Sequence, residues 1–210
     1  MIVAIDGPAG AGKSTVARRL AERIGFHYLD TGAMYRAVAW LAAGQELPLD
    51  DGPALAALAA EHPVTFDSEE RVWIAGTDVT AAIRQSEIDR LVPIAARRPE
   101  LREVMRRRQR ELGISGDTVI EGRDIGTVVA PGAEVKVYLL ADEAVRARRR
   151  QAERPGIGSD ALATDLRMRD ASDAAQMRAA DDAVQIDTTE LTVDQVVDRI
   201  EALVRARAAA

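Results

Sequence analysis

Gly7-Pro8-Ala9-Gly10-Ala11-Gly12-Lys13-Ser14 places two glycines, a lysine and a hydroxyl at the spacing Gly-x-x-x-x-Gly-Lys-Ser. Residues of these types in this order hold the phosphates of a nucleoside triphosphate. The glycines let the backbone curl so that successive N–H groups converge on phosphate oxygens, and a following helix adds its positive N-terminal end. Lys13 is a compact cation with the reach for the β- and γ-phosphates. The Ser14 hydroxyl can ligate Mg²⁺. Gly7 to Thr15 is therefore the candidate binding stretch for a nucleoside triphosphate, with Ser14 the candidate metal ligand. Lys13 and Lys136 are the only lysines in a chain whose other strong bases are all arginine. A broad guanidinium fork suits the position of Lys13 poorly.

The elements needed to carry such a loop surround it. Ile2-Val3-Ala4-Ile5 is a continuous apolar run, as in a strand buried on both faces of a parallel sheet. Val16, Ala17, Leu20, Ala21 and Ile24 recur at helical spacing after it. Beyond, strand and helix patterns alternate, which argues for a layered α/β fold. Strands are predicted at 26–29, 118–120, 135–140 and 183–186. Helices are predicted around 34–44, 53–60, 142–153, 160–178 and 192–207. Helical pattern between 86 and 112 is broken at Pro93 and Pro99. Residues 64–66 and 71–74 read instead as a small antiparallel hairpin, part of an insertion at roughly 62–82.

Composition narrows the function classes. A chain of 210 residues, 47% hydrophobic and 30% charged, suits a soluble globular protein with a full core. It has no cysteine, which excludes disulfides and thiolate metal sites. No signal-peptide pattern or membrane span is read, so the cytoplasm is the expected compartment. The net charge of −6 argues against nonspecific nucleic-acid binding. Clustered arginines in an acidic protein suit small polyphosphates instead. The absence of asparagine removes the Asn-Lys-x-Asp guanine reader of a nucleotide switch. His27 and His62 are isolated in sequence, which leaves a metal hydrolase little to use.

Ligands of parallel α/β sheets gather beyond the carboxyl ends of the strands. Four polar features fall at such ends: the phosphate loop, Asp30-Thr31-Gly32, Glu121-Gly122-Arg123-Asp124 and Asp187-Thr188-Thr189. Arg36, one turn into the helix after Asp30, adds a cation. This combination suggests transfer of a γ-phosphoryl group to an anionic acceptor, a reaction made of positioning and charge neutralisation. The arginine-rich helix with Arg146, Arg149 and Arg150, followed by the Arg154-Pro155-Gly156 break, suits a lid that closes over the transferring group.

Three strings resemble bacterial cytidylate kinases: Ile5-Asp6-Gly7-Pro8-Ala9-Gly10-Ala11-Gly12-Lys13-Ser14-Thr15, Leu29-Asp30-Thr31-Gly32-Ala33-Met34-Tyr35-Arg36, and Glu121-Gly122-Arg123-Asp124-Ile125-Gly126-Thr127-Val128-Val129. The last is the most specific, and the resemblance runs nearly end to end. It implies a kinase moving the γ-phosphoryl of Mg²⁺-bound ATP to CMP or dCMP. It implies that Thr31, Arg36, Arg102, Arg123 and Asp124 meet the acceptor, the three arginines at its phosphate and Asp124 at the cytosine ring. Arg169 and Asp173 match positions near the acceptor sugar, and Arg146, Arg149 and Arg150 match lid arginines. Lys13 and Arg123 with these lid arginines form the expected catalytic set. Two departures stand out: Pro93 replaces a serine, and Gln176 replaces an arginine. The expected architecture is a three-layer P-loop fold with a parallel central sheet, a small antiparallel insertion in the acceptor-binding region and a short arginine-rich lid. It is read as one domain of 1–210, with its core in about 1–35, 115–145 and 180–210, acceptor-binding region 36–112 and lid 146–178. The expected protein is a monomer that uses no nucleic acid or membrane. UMP, AMP or a non-nucleotide acceptor is the alternative within the same chemistry.

Overall fold

The computed structural model describes residues 1–113, 116–153, 156, 158–174 and 176–209. Arg154, Pro155 and Ile157 of the expected lid break lie outside the described residues. The chain forms two compact units, Met1–Leu29 with Gly113–Ala210, and Asp30–Leu112. Among the described residues no helix is long and apolar enough to cross a membrane.

In the first unit the buried run at the N-terminus forms β1 (Ile2–Asp6), flanked in parallel by β6 (Thr118–Glu121) and β7 (Val135–Leu140). β8 (Val184–Asp187) pairs in parallel with β7. With β2 (His27–Asp30) the sheet order is β2-β6-β1-β7-β8. Val3, Ile5, Val119, Val137 and Leu139 pack with Val16 and Leu20 of α1 (Lys13–Ile24) and with Val197 and Ile200 of α8 (Val193–Ala208). Each such side chain contributes about 1.5–3 kcal/mol through burial. α1 stops where Gly25 takes a left-handed φ of 73°. α8 starts on a reciprocal capping box between Thr192 and Gln195. Arginine-rich α6 (Glu143–Glu153) and α7 (Ser159–Asp173) complete the unit. α7 ends at Asp173 rather than near 178, and the Asp173 carbonyl accepts from the N–H groups of both Gln176 and Met177, at 2.8 and 3.0 Å.

The second unit holds α2 (Thr31–Gly44), α3 (Gly52–Glu61), α4 (Ser86–Ala95) and most of α5 (Pro99–Gly113). Its sheet has three strands rather than two: β3 (Thr65–Phe66), β4 (Val72–Ile74) and β5 (Thr77–Asp78), all antiparallel. The second hairpin turns on Ala75 and Gly76, both at positive φ, as a two-residue loop requires. Both β5 residues are exposed, so no apolar alternation announces them. Pro93 sits inside α4 instead of breaking it. The helix ends two residues later, so the missing N–H costs a single bond near its C-terminus.

Candidate active site

The phosphate loop leaves β1 through Gly7 at φ 144°. A Cβ there would lie 2.3 Å from the Leu139 carbonyl oxygen, so only glycine lets the loop pass β7. At the other end Gly12, at φ 90°, stands in the cap position of α1 without any side-chain cap. The first N–H groups of α1 therefore face the loop, where an anion suits them. Lys13 is buried, and its Nζ donates to the Pro8 carbonyl at 2.9 Å, closing the loop on itself. Burial pulls its ammonium down to about 7, helped by the charges of Arg123 and Arg169 and opposed by Glu121 and Asp6. Ser14 and Thr15 are exposed on the first turn of α1.

The turn after β6 lies against this loop. Arg123 Nη1 donates to the Gly7 carbonyl at 3.1 Å, and its Nε donates to Asp173 Oδ2 at 3.0 Å. Asp124 follows and is buried. A five-residue turn of π-helix type, Ile125–Val129, continues the chain. Its first two N–H groups, of Ile125 and Gly126, donate to the two carboxylate oxygens of Asp6, each at 2.8 Å.

The arginine-rich helix reaches the loop from the other side. Arg146, buried, donates from Nη1 to the Ala9 carbonyl at 3.1 Å and pairs with Asp170 at 2.7 Å. Arg149 donates to the Thr188 hydroxyl at 3.0 Å and the Thr188 carbonyl at 2.7 Å. The same hydroxyl lies 3.2 Å from the Ala11 carbonyl, so β8 and α6 both brace the loop. Arg150 is half-buried on α6, as is Arg169 on α7. An open groove beside Arg149 is lined by Val145, Arg148, Ala152, Thr189 and Glu190.

In the second unit, Asp30 caps α2 through a 2.7 Å bond from the Ala33 N–H and accepts from Arg36 Nη2 at 2.9 Å. Thr31 is buried at the first position of that helix. Arg102, on α5, donates from Nη1 to the Ala96 carbonyl at 3.4 Å. Of the residues singled out in the sequence, the structure thus gathers Gly7 to Ser14, Arg123, Arg146, Arg149 and Asp173 in one unit. It groups Thr31 and Arg36 at one helix start in the other.

The cytidylate kinase family model matches residues 3–206. This chain belongs to the cytidylate kinase family. A cytidylate kinase of Geobacillus sp. (strain WCH70) is 45% identical over 98% of this chain and 96% of its own length. One from Bacillus subtilis (strain 168) is 44% identical over 94% of this chain and 93% of its own. Among solved structures, a shikimate kinase from Bacteroides thetaiotaomicron covers 98% of both chains with TM-score 0.54 and 17% identity, a likeness of fold alone. Membership of the cytidylate kinase family makes the chain a kinase built on a parallel α/β sheet with a small antiparallel one.

Three residues of the site carry roles that the sequence reading did not assign. Asp6 was visible only as an acid ending an apolar strand before Gly7. Thr188 stood in a polar strand end without a stated partner, and Asp170 was one acid among several on α7. Their partners lie from 24 to well over 100 residues away, and no local spacing announces such bonds.

Proposed function

We propose that this kinase transfers the γ-phosphoryl of ATP to CMP or dCMP, giving ADP and CDP or dCDP. The observation that carries the reading is the bond of Arg123 to Gly7, which sets the Gly122-Arg123-Asp124 turn against the phosphate loop in a cytidylate kinase family member. The loop N–H groups and Lys13 hold the β- and γ-phosphates of the donor. Its base suits the groove beside Arg149. Arg123 with Arg36 and Arg102 binds the acceptor phosphate, Thr31, Arg169 and Asp173 the nucleoside. Asp124 accepts from the exocyclic amine of cytosine, a group that uracil lacks.

The residues present fit a Mg²⁺ ion carried by the donor. Ser14 offers an exposed hydroxyl, and among the described residues no cluster of three acidic, histidine or cysteine side chains forms a separate metal cage. A single protein oxygen beside phosphates and water is how Mg²⁺ is commonly held. When bound it neutralises charge on the phosphate oxygens.

The chemical step asks little covalent work of the protein. An acceptor phosphate oxygen, already ionised at neutral pH, forms a bond to the γ-phosphorus as the bond to the bridging oxygen breaks. Lys13, Arg123 and the lid arginines Arg146, Arg149 and Arg150 surround that centre with positive charge. The substrates belong to the cytoplasm, the compartment this reading assigns. A coupled assay of ADP release, with Mg²⁺-ATP and CMP, dCMP, UMP or AMP in turn, tests it. Turnover with CMP or dCMP well above the others is expected; equal turnover with UMP would dismiss Asp124 as the base reader.

A further inference from the structure

The Ile125–Val129 turn begins on Asp124, which occupies the cap position without making a side-chain cap bond. The first N–H groups of a helical turn need an acceptor when buried. Here that acceptor comes from a different strand, 119 residues earlier in the chain, as Asp6 Oδ1 meets the Ile125 N–H and Oδ2 the Gly126 N–H. Asp6 is 4% exposed and stands immediately before Gly7. Three consecutive residues of β1 and its exit thus hold the turn. The Ile5 carbonyl accepts from Gly122, the Gly7 carbonyl from Arg123, and the Asp6 carboxylate from the two residues after Asp124. A Cβ at Gly126 would stand 3.4 Å from Asp6 Oδ2, so the carboxylate lies at contact distance over the start of the turn.

We propose that Asp6 is a positioning residue for acceptor selection, one that caps the turn from below and so fixes the aim of Arg123 and Asp124 relative to the phosphate loop. The proposal rests on the reading that those two residues meet CMP. Burial pushes the Asp6 carboxyl above its ordinary value, the Gly126 and Ile125 N–H groups only partly offset this, Asp124 adds to it and Lys13 opposes it. A raised value means that the stability contribution is present below the ordinary carboxyl pKa and lost as pH rises through the folded one.

The test is Asp6→Asn, which keeps shape and one carbonyl oxygen but turns an NH₂ group toward the second N–H. Its melting temperature is expected to fall, because an NH₂ donor then faces a buried N–H, and calorimetry shows whether the fold survives. KM for CMP is expected to rise about tenfold or more, because a turn without its cap no longer holds Arg123 and Asp124 in one position for the acceptor. KM for ATP should stay within about twofold, and the CMP-over-UMP ratio of kcat/KM should fall. Exchange of the Ile125 and Gly126 amides, followed by NMR, should quicken. Unchanged CMP KM and selectivity in folded Asp6→Asn would overturn the proposal, as would equal increases in both KM values. If the parent itself neither turns over nor binds CMP, the functional reading fails. Amide exchange then decides alone, and unaltered protection in Asp6→Asn overturns the positioning role.

Discussion

Lys13 carries opposite consequences for stability and for chemistry. A buried ammonium whose one described bond is to a backbone carbonyl costs free energy in the folded protein, which is why its ionisation is pulled so far down. A bound polyphosphate supplies the charge that justifies the arrangement. Lys13→Met is therefore expected to lower kcat by roughly 10²-fold or more while raising the melting temperature by about 2–6 °C. Calorimetry beside the coupled assay checks both; a mutant that melts well below the parent would show that Lys13 is structural. Asp124 makes a narrower prediction. On the proposed reading, in which Asp124 accepts from the cytosine amine that uracil lacks, Asp124→Ala should reduce the CMP-over-UMP ratio of kcat/KM by about 10-fold or more. Unchanged selectivity in a folded Asp124→Ala protein would move the base reader elsewhere.

At the scale of elements, the small sheet of the second unit is organised by one carboxylate. Asp67 accepts from the Trp73 indole at 3.0 Å, from Arg71 Nε at 2.7 Å, and from the backbone N–H groups of Glu69 and Arg71. Burial pushes its carboxyl up, and these bonds outweigh it to bring the group down to about 2. A depressed value means that the stabilisation is present above the ordinary carboxyl pKa and lost as pH falls through the folded one. In a Trp40→Phe background, the Trp73 emission should shift between about pH 4 and 2, and adding Asp67→Asn should abolish that step. A Trp73 signal flat until the whole chain unfolds would remove Asp67 from this role.

What could be read of these elements in advance follows the reach of each signal. β1 was legible because its apolar run Ile2 to Ile5 is unbroken, and β6 and β7 because Val119-Ile120 and Val137 to Leu139 leave short buried apolar runs. The starts of α3 and α8 fall within one residue of the expected 53 and 192, whereas α2 begins at Thr31, three residues before the expected 34, on the Asp30 cap. β5 was hidden by its exposure. α4 read as broken because Pro93 forbids one bond, not the helix. In the site, the loop from Gly7 to Ser14 is local and could be seen whole. The contacts of Asp6 to the 125–126 turn, of Arg146 to Asp170 and of Arg149 to Thr188 are made by the fold, and no spacing along the chain encodes them.

For the molecule as a whole, the question that the surface answers is whether a second copy has anything to hold. The large apolar side chains exposed among the described residues are Ile94, Leu140, Met168, Val184 and Val193. They belong to five different elements, α4, β7, α7, β8 and α8. A stable homodimer needs about 800 Å² from each partner with a largely apolar centre. Isolated side chains of this kind are ordinary surface. The net charge of −6 adds a weak mutual repulsion. Sedimentation equilibrium at neutral pH and moderate salt is expected to return the monomer mass, 22.6 kDa, across the accessible concentration range. Should a dimer appear instead, Met168→Glu, the most exposed of the five, separates the two explanations. Dissociation by that substitution would place the interface on α7, beside the helix that bears Arg146 and Arg149. Phosphoryl transfer would then have to be re-measured as a function of protein concentration.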